Sequence, residues 1–226
     1  MTQITDNLEE IRSRMAAAAC RYGRAPATVR LLAVSKQQPA DSVQAALTAG
    51  QRDFGENYLG EALTKISTVA GPACWHFIGT VQSNKTRGIA AHFDWVHSVD
   101  RLKIARRLSV QRPADSKPLN VCVEVNVAGE ISKSGVPPAE LETLANGIAK
   151  LPQLRLRGLM CLPPSEQGFK QQRRPFAQLR QLFESLNDNG LGLDTLSMGM
   201  SADFEAAIAE GATIIRVGTA VFGARH

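Results

Sequence analysis

The sequence predicts one (β/α)8 barrel with an extra helix ahead of its first strand, and three observations carry that expectation. Short apolar runs alternate with amphipathic stretches along almost the whole chain, the pattern of βα units around a parallel sheet. About eight such runs occur, each but the last followed by a helical stretch, which matches the count of a closed barrel. The first strand exits into "SKQQP", where the main rival, a doubly wound open sheet, typically places a glycine-rich turn. With 226 residues the chain can bury a large core and still fit as a single domain, residues 1–226.

Each element has a local reason. "DNLEEIRSRMAAAACRYG" is the leading helix: Asp6 and Glu9 are spaced as a capping pair, Leu8, Ile11 and Met15 share a face, and Gly23 is the stop. "VRLLAVSK" (29–36) is the first strand, and "ADSVQAALTAG" the helix that Gly50 closes. "RDFGEN" (52–57) and "CWHFIG" (74–79) are the next strands, followed by helices over "YLGEALTKIS" and "NKTRGIAAHF". "WVHSV" (95–99) precedes the helix "RLKIARRLSV", with Asp100 as its expected cap. "LNVCVEVNV" (119–127) reads as a fully buried strand, and Pro137 and Pro138 open the next helix. "LRLRGLMCL" (154–162) is the sixth strand, and Phe176, Leu179, Phe183 and Leu186 mark one helix face. "LDTLSMG", the helix "ADFEAAIAEG" and "ATIIRVG" (212–218) complete the series.

Composition narrows the function classes. The chain is 44% hydrophobic and 21% charged, the range of a soluble globular protein. No apolar run approaches a membrane span, and "MTQITDNLEEIRSRM" lacks a secretory pattern, so a cytoplasmic location is expected. The four cysteines are widely separated without a C-x-x-C pair, which argues for buried thiols and against a disulfide frame or metal site. The net charge of +5 is dispersed, and two Tyr and two Trp leave few stacking platforms for nucleic acid. A modest positive excess suits a phosphorylated anion instead.

In a barrel the chemistry lies at the carboxyl ends of the strands, so polar residues at strand exits are the candidates. Lys36 ends the first strand. "SMGMS" offers Gly199 and the Ser201 hydroxyl before a helix start, and "RVGT" offers Gly218 and Thr219. Loops after the last two strands often share one phosphate, although Ser201 also reads as an N-cap and Gly218 as a turn residue. Arg216, two residues before Gly218, points inward by strand periodicity and needs an acceptor there. A molecule with a phosphate, a ring nitrogen and an aldehyde meets all three features, and pyridoxal 5′-phosphate, a form of vitamin B6, is such a molecule. Free lysine is protonated at neutral pH, and partial burial beside other cations would favour its Schiff base.

The stretches "LLAVSK", "FGENY", "WHFIGTVQSNK", "LRGLM", "SMGMSADFEAAI" and "RVGTAVFGAR" resemble the YggS/PROSC family, the pyridoxal phosphate homeostasis proteins, over roughly residues 5–225. The resemblance implies an alanine racemase-like barrel, usually monomeric, that holds pyridoxal 5′-phosphate as a Schiff base on Lys36. It implies phosphate contacts from Ser201, Gly218 and Thr219, Arg216 at the ring nitrogen, and Asn57, His76 and Met200 beside the ring. His76 also reads as a core histidine with a satisfied hydrogen bond. The family has no firm enzymatic activity: it is credited with binding, storing or delivering the cofactor, with apoenzymes that require it as recipients, and with balancing amino-acid pools. Some relatives carry a second lysine two residues after the Schiff-base lysine and a basic C-terminus. Here those places read Gln38 and "GARH", leaving Lys85 and Lys133 as secondary candidates.

Two enzymatic alternatives remain at this stage. A racemase needs a second base and a substrate enclosure. With only Tyr22 and Tyr58, and a chain that ends about where its barrel ends, neither is expected. An arginine at the ring nitrogen also disfavours ring protonation and makes the ring a weak electron sink. An aldolase-like barrel using Lys36 on a sugar phosphate is the other.

Overall fold

The computed structural model describes residues 3–130, 134–164 and 168–223. Eight parallel strands close into a barrel in sequence order: β1 (Arg30–Val34), β2 (Asp53–Glu56), β3 (Cys74–Phe77), β4 (Trp95–Val99), β5 (Leu119–Glu124), β6 (Leu154–Met160), β7 (Thr195–Ser197) and β8 (Ile214–Val217). Pairing of Leu32 with Arg216 sets the β1–β8 register that closes the ring. The helices are α1 (Gln3–Arg21), α2 (Ala40–Thr48), α3 (Leu59–Thr68), α4 (Thr86–His92), α5 (Leu102–Gln111), α6 (Pro138–Ala149), α7 (Phe169–Asp188), α8 (Phe204–Ala209) and α9 (Thr219–Phe222).

Strand periodicity divides the core in two. On β5, Leu119, Val121 and Val123 face the helices and join the large core between sheet and helix ring. Cys122 faces inward and packs with Trp95 and Met160 in a small inner cluster. The inner face also carries His76, His97, Ser197 and Arg216, all buried there. The extra helix α1 covers the sheet-side core with Leu8, Ile11, Met15, Ala18 and Ala19, a stripe of helical spacing, and packs on α2, α8 and α9.

Several local expectations change. α1 begins at Gln3, one turn before Asp6, because Ile4 already packs on the core; Asp6 is a first-turn acid and not a cap. α5 is flanked by Arg101 in extended conformation, so Asp100 does not cap it and accepts the Arg101 guanidinium at 3.2 Å instead. A one-turn helix, α9, follows the last strand. Cys122 and Cys161 are buried as expected, but Cys20 is exposed on the outer face of α1 and Cys74 is half-buried.

Candidate functional site

The mouth of the barrel holds a cavity of about 320 Å³, at the small end of ligand cavities, which run to roughly 1,000 Å³. Its lining includes Lys36, Asn57, Met200, Ser201, Arg216, Gly218 and Thr219. Seven of the eight residues expected from sequence therefore meet in one place. His76 does not: it lies two residues before Ile78, which follows β3 and reaches the cavity, and is sealed inside the barrel.

Lys36 sits just past its strand. β1 stops at Val34, Ser35 N–H still donates to the Gly55 carbonyl at 2.9 Å, and Lys36 and Gln37 form a turn with Gln37 in the left-handed region at φ 59°. A buried ionic knot anchors this turn. Lys65 Nζ donates to the Ser35 carbonyl at 2.6 Å, to Glu56 Oε1 at 2.7 Å and to Glu61 Oε1 at 2.6 Å. Ser35 Oγ donates to Glu56 Oε1 at 2.6 Å, and Gln37 N–H donates to Glu61. Burial raises the Glu56 carboxyl, against the lowering pull of Lys65 and Ser35. Sequence reasoning missed this knot. The available signal was Lys65 itself, four residues after Glu61 and on the α3 face that buries Ala62.

The opposite wall presents open backbone N–H groups to the cavity. Gly199 is left-handed at φ 92°, and a Cβ there would lie 2.5 Å from the Ala207 Cβ, so only glycine lets the chain turn this close to α8. Past it, Asp203 Oδ1 accepts the Met200 N–H at 2.6 Å and fixes the turn. The amides of Ser201 and Ala202 have no acceptor among the described residues, and both residues line the cavity. Across from them, Gly218 lies close against β1, where a Cβ would meet the Val34 carbonyl at 3.2 Å.

Between these walls lies Arg216, only 4% exposed. Its Nη1 donates to the Ser197 carbonyl at 2.6 Å and Ser197 Oγ at 2.8 Å, and Nη2 donates to the Cys161 carbonyl at 2.8 Å. These are the acceptors that an inward arginine requires. Burial lowers its pKa, yet a guanidinium stays charged at any working pH. Leu162 and Met200, both 39% exposed, give the cavity apolar flanks, and Asn57 Oδ1 is buried without a partner among the described residues. A phosphate with an aromatic ring fits this donor set: open amides and hydroxyls at one end, a cation and an amide oxygen further in, and apolar sides.

Glu124, which sequence reasoning also missed, ends β5 on the inward face, the parity of Cys122. Burial raises it to about 7, with Asp100 adding to the rise and Arg216 opposing it. Lys85 lines a neighbouring cavity of about 450 Å³ that shares Asn57 with the first. Lys133, and the chain after Gly223, lie outside the described residues.

Known proteins match along the whole chain. Residues 2–226 match the family described as alanine racemase, N-terminal domain. The pyridoxal phosphate homeostasis protein of Pseudomonas aeruginosa is 60% identical, covering 100% of this chain and 97% of that protein. The protein of the same name from Escherichia coli strain K12 is 50% identical, covering 100% and 98%. Among solved structures, PipY of Synechococcus elongatus with PLP bound is 38% identical and superimposes with a TM-score of 0.85, covering 98% of this chain and 100% of that one.

Proposed function

The chain belongs to the alanine racemase N-terminal domain family, among its pyridoxal phosphate homeostasis proteins, and on that premise we propose that it holds pyridoxal 5′-phosphate in the barrel mouth, covalently through Lys36, as a cofactor reservoir and not as a catalyst. The observation that carries this reading is the cavity itself, which sets a primary amine, an open anion cup and a buried guanidinium around about 320 Å³. When bound, the cofactor supplies an aldehyde that condenses with a primary amine.

The chain's own residues divide the work. Ser201 and Thr219 offer hydroxyls and, with Gly218 and Ala202, backbone N–H groups to a phosphate. Arg216 faces the ring nitrogen with the N–H groups that Ser197 and Cys161 leave over. A permanent cation there disfavours a proton on that nitrogen, which suits retention and not carbanion chemistry. Asn57 and Met200 flank the ring, and the ionic knot under Ser35 fixes the backbone on which Lys36 stands. From this store the cofactor passes to apoenzymes, which is how the chain serves cofactor and amino-acid balance.

Borohydride reduction of the loaded full-length protein, followed by peptide mass mapping, tests this. The cofactor's mass is expected on the Lys36 peptide, and Lys36→Ala is expected to lose both that label and the visible absorbance. Labelling elsewhere, or absorbance unchanged in Lys36→Ala, overturns the attachment. Turnover of amino acids by the loaded protein overturns the reservoir reading.

A further inference from the structure

His76 and His97, two buried imidazoles that the cavity leaves unused, form the middle of a continuous hydrogen-bonded chain through the barrel. Arg216 Nη1 meets Ser197 Oγ at 2.8 Å, and Ser197 Oγ meets His97 Nδ1 at 2.8 Å. His97 Nε2 meets His76 Nδ1 at 2.9 Å, and His76 Nε2 meets Asp53 Oδ1 at 2.9 Å. The residues come from β8, β7, β4, β3 and β2. One end lines the mouth cavity, while Asp53 opens its strand at the opposite end of the barrel.

We propose that Asp53, His76, His97 and Ser197 are positioning residues for Arg216, acting through a chain in which every proton points from the cavity toward Asp53 and both imidazoles are in the Nε2–H form. The functional part of this rests on the reading of the cavity as a pyridoxal phosphate site.

The direction follows from the two ends. Arg216 has no acceptor atom, so Ser197 Oγ accepts from it. Asp53 is held ionised: burial raises its carboxyl, but the hydrogen bonds from His76 and Cys74 and the Arg30 guanidinium outweigh that and leave it below the ordinary range. A carboxylate only accepts, so the proton of that link sits on His76 Nε2. A neutral His76 then accepts at Nδ1, which requires His97 Nε2–H. A neutral His97 accepts at Nδ1, which requires the Ser197 hydroxyl proton. Working inward from the Asp53 carboxylate assigns all four protons, the Arg216 end agrees with that assignment, and no link is left with two protons or none. An imidazolium at either position would bring a second proton to one link. Burial also opposes it: both histidines are fully buried, and His97 is driven well below the ordinary range by burial, then by His76, Arg216 and Arg30.

The surroundings favour this over a metal. Ligand atoms of Asp53, Cys74 and His76 lie within 4.8 Å of one another. Burial, with the Asp94 and Asp53 charges, pushes the Cys74 thiol up and keeps it protonated, and Arg30 stands 3.6 Å from Asp53. Trp95 stacks on His76 at 5.4 Å and fixes the ring plane. With its proton committed to His97, the Ser197 hydroxyl presents a lone pair to Arg216 and cannot turn its hydrogen there. The guanidinium is thus held in one plane from below.

The test uses the free full-length protein labelled with nitrogen-15 at histidine. Long-range proton–nitrogen spectra are expected to show His76 and His97 neutral, both in the Nε2–H form, unchanged from about pH 5 to 8, where an ordinary histidine titrates. A doubly protonated ring, or an Nδ1–H form of either, overturns the proposal. This readout needs no cofactor, so it stands or falls separately from the cofactor reading. Asp53→Asn, which also offers an amide donor to His76, is expected to mix the two tautomers at His97, although the two residues do not touch. Unchanged His97 signals in that variant overturn the relay. In the loaded protein, Ser197→Ala is expected to shift the pH dependence of cofactor absorbance and to weaken retention about five- to tenfold, with Ser197→Thr restoring both. An absorbance profile in Ser197→Ala identical to that of the parent overturns the positioning role.

Discussion

Lys65 Nζ donates a 2.6 Å hydrogen bond to the carbonyl of Ser35, the residue before Lys36. The ammonium is 4% exposed and the Glu56 carboxylate beside it 0%, so neither charge has water to fall back on. Removing one member of such a pair leaves the other buried and uncompensated, which costs about 3–5 kcal/mol. Lys65→Met is therefore expected to lose stability of that order in denaturant unfolding. The double variant Lys65→Met with Glu56→Gln is expected to recover part of it, because the charge that remains, Glu61, is partly exposed and keeps the Gln37 N–H. Equal losses in both would mean that packing, and not the ion pair, holds the turn.

The anion cup depends on Gly199 in two ways, and they can be separated. Its φ of 92° strains any other residue, and its added Cβ would lie 2.5 Å from Ala207. Gly190, at φ 86°, shares the first constraint and has nothing within 4 Å. Gly190→Ala is expected to cost about 1 kcal/mol, and Gly199→Ala roughly 2–4 kcal/mol, with weaker phosphate binding as the Met200–Ser201 turn moves. Thermal unfolding of the pair, with titration by inorganic phosphate, checks this. Similar losses in both variants would remove the contact with α8 from the explanation.

Arg216 has its own signature. Replacing the cation with an acid in Arg216→Glu favours a proton on a facing ring nitrogen, so the bound cofactor's spectrum is expected to change with pH where the parent's does not. Spectra identical to the parent at every pH would show that Arg216 does not face the ring.

The barrel was legible because each strand announces itself locally. "LNVCVEVNV" turns Leu119, Val121, Val123, Val125 and Val127 to the helices outside and sets Cys122 against Trp95 and Met160 inside. The lining of the mouth was legible for the same reason: Gly199, Ser201, Gly218 and Thr219 lie at the exits of the last two strands. What stayed hidden was pairing across the barrel. His76 reads in sequence as a ring contact or a core histidine until the fold puts it beside His97, and Lys65 shows nothing beyond its place four residues after Glu61 until α3 turns it under Ser35. Glu124 lies inside the expected strand 119–127, and only the inward parity of Cys122 shows that it faces the interior.

Glu124 gives the protein a pH dependence with a definite sign. Its folded pKa of about 7 lies above the ordinary glutamate value, so between about pH 4.3 and 7 the folded state binds the proton that the unfolded chain releases. Stability therefore falls as pH rises through this window. The loss is complete above about pH 7, and its ceiling is about 4 kcal/mol at 1.36 kcal/mol per pH unit. Asp100 sharpens the effect and Arg216 blunts it. Glu124→Gln keeps the shape of the neutral acid and cannot ionise. Denaturant midpoints at pH 5 and pH 8 are expected to show it near the parent at the lower pH and more stable by about 1–3 kcal/mol at the higher. A difference between the two proteins that is the same at both pH values would mean that Glu124 is already ionised throughout, with Arg216 compensating it more fully than the burial suggests.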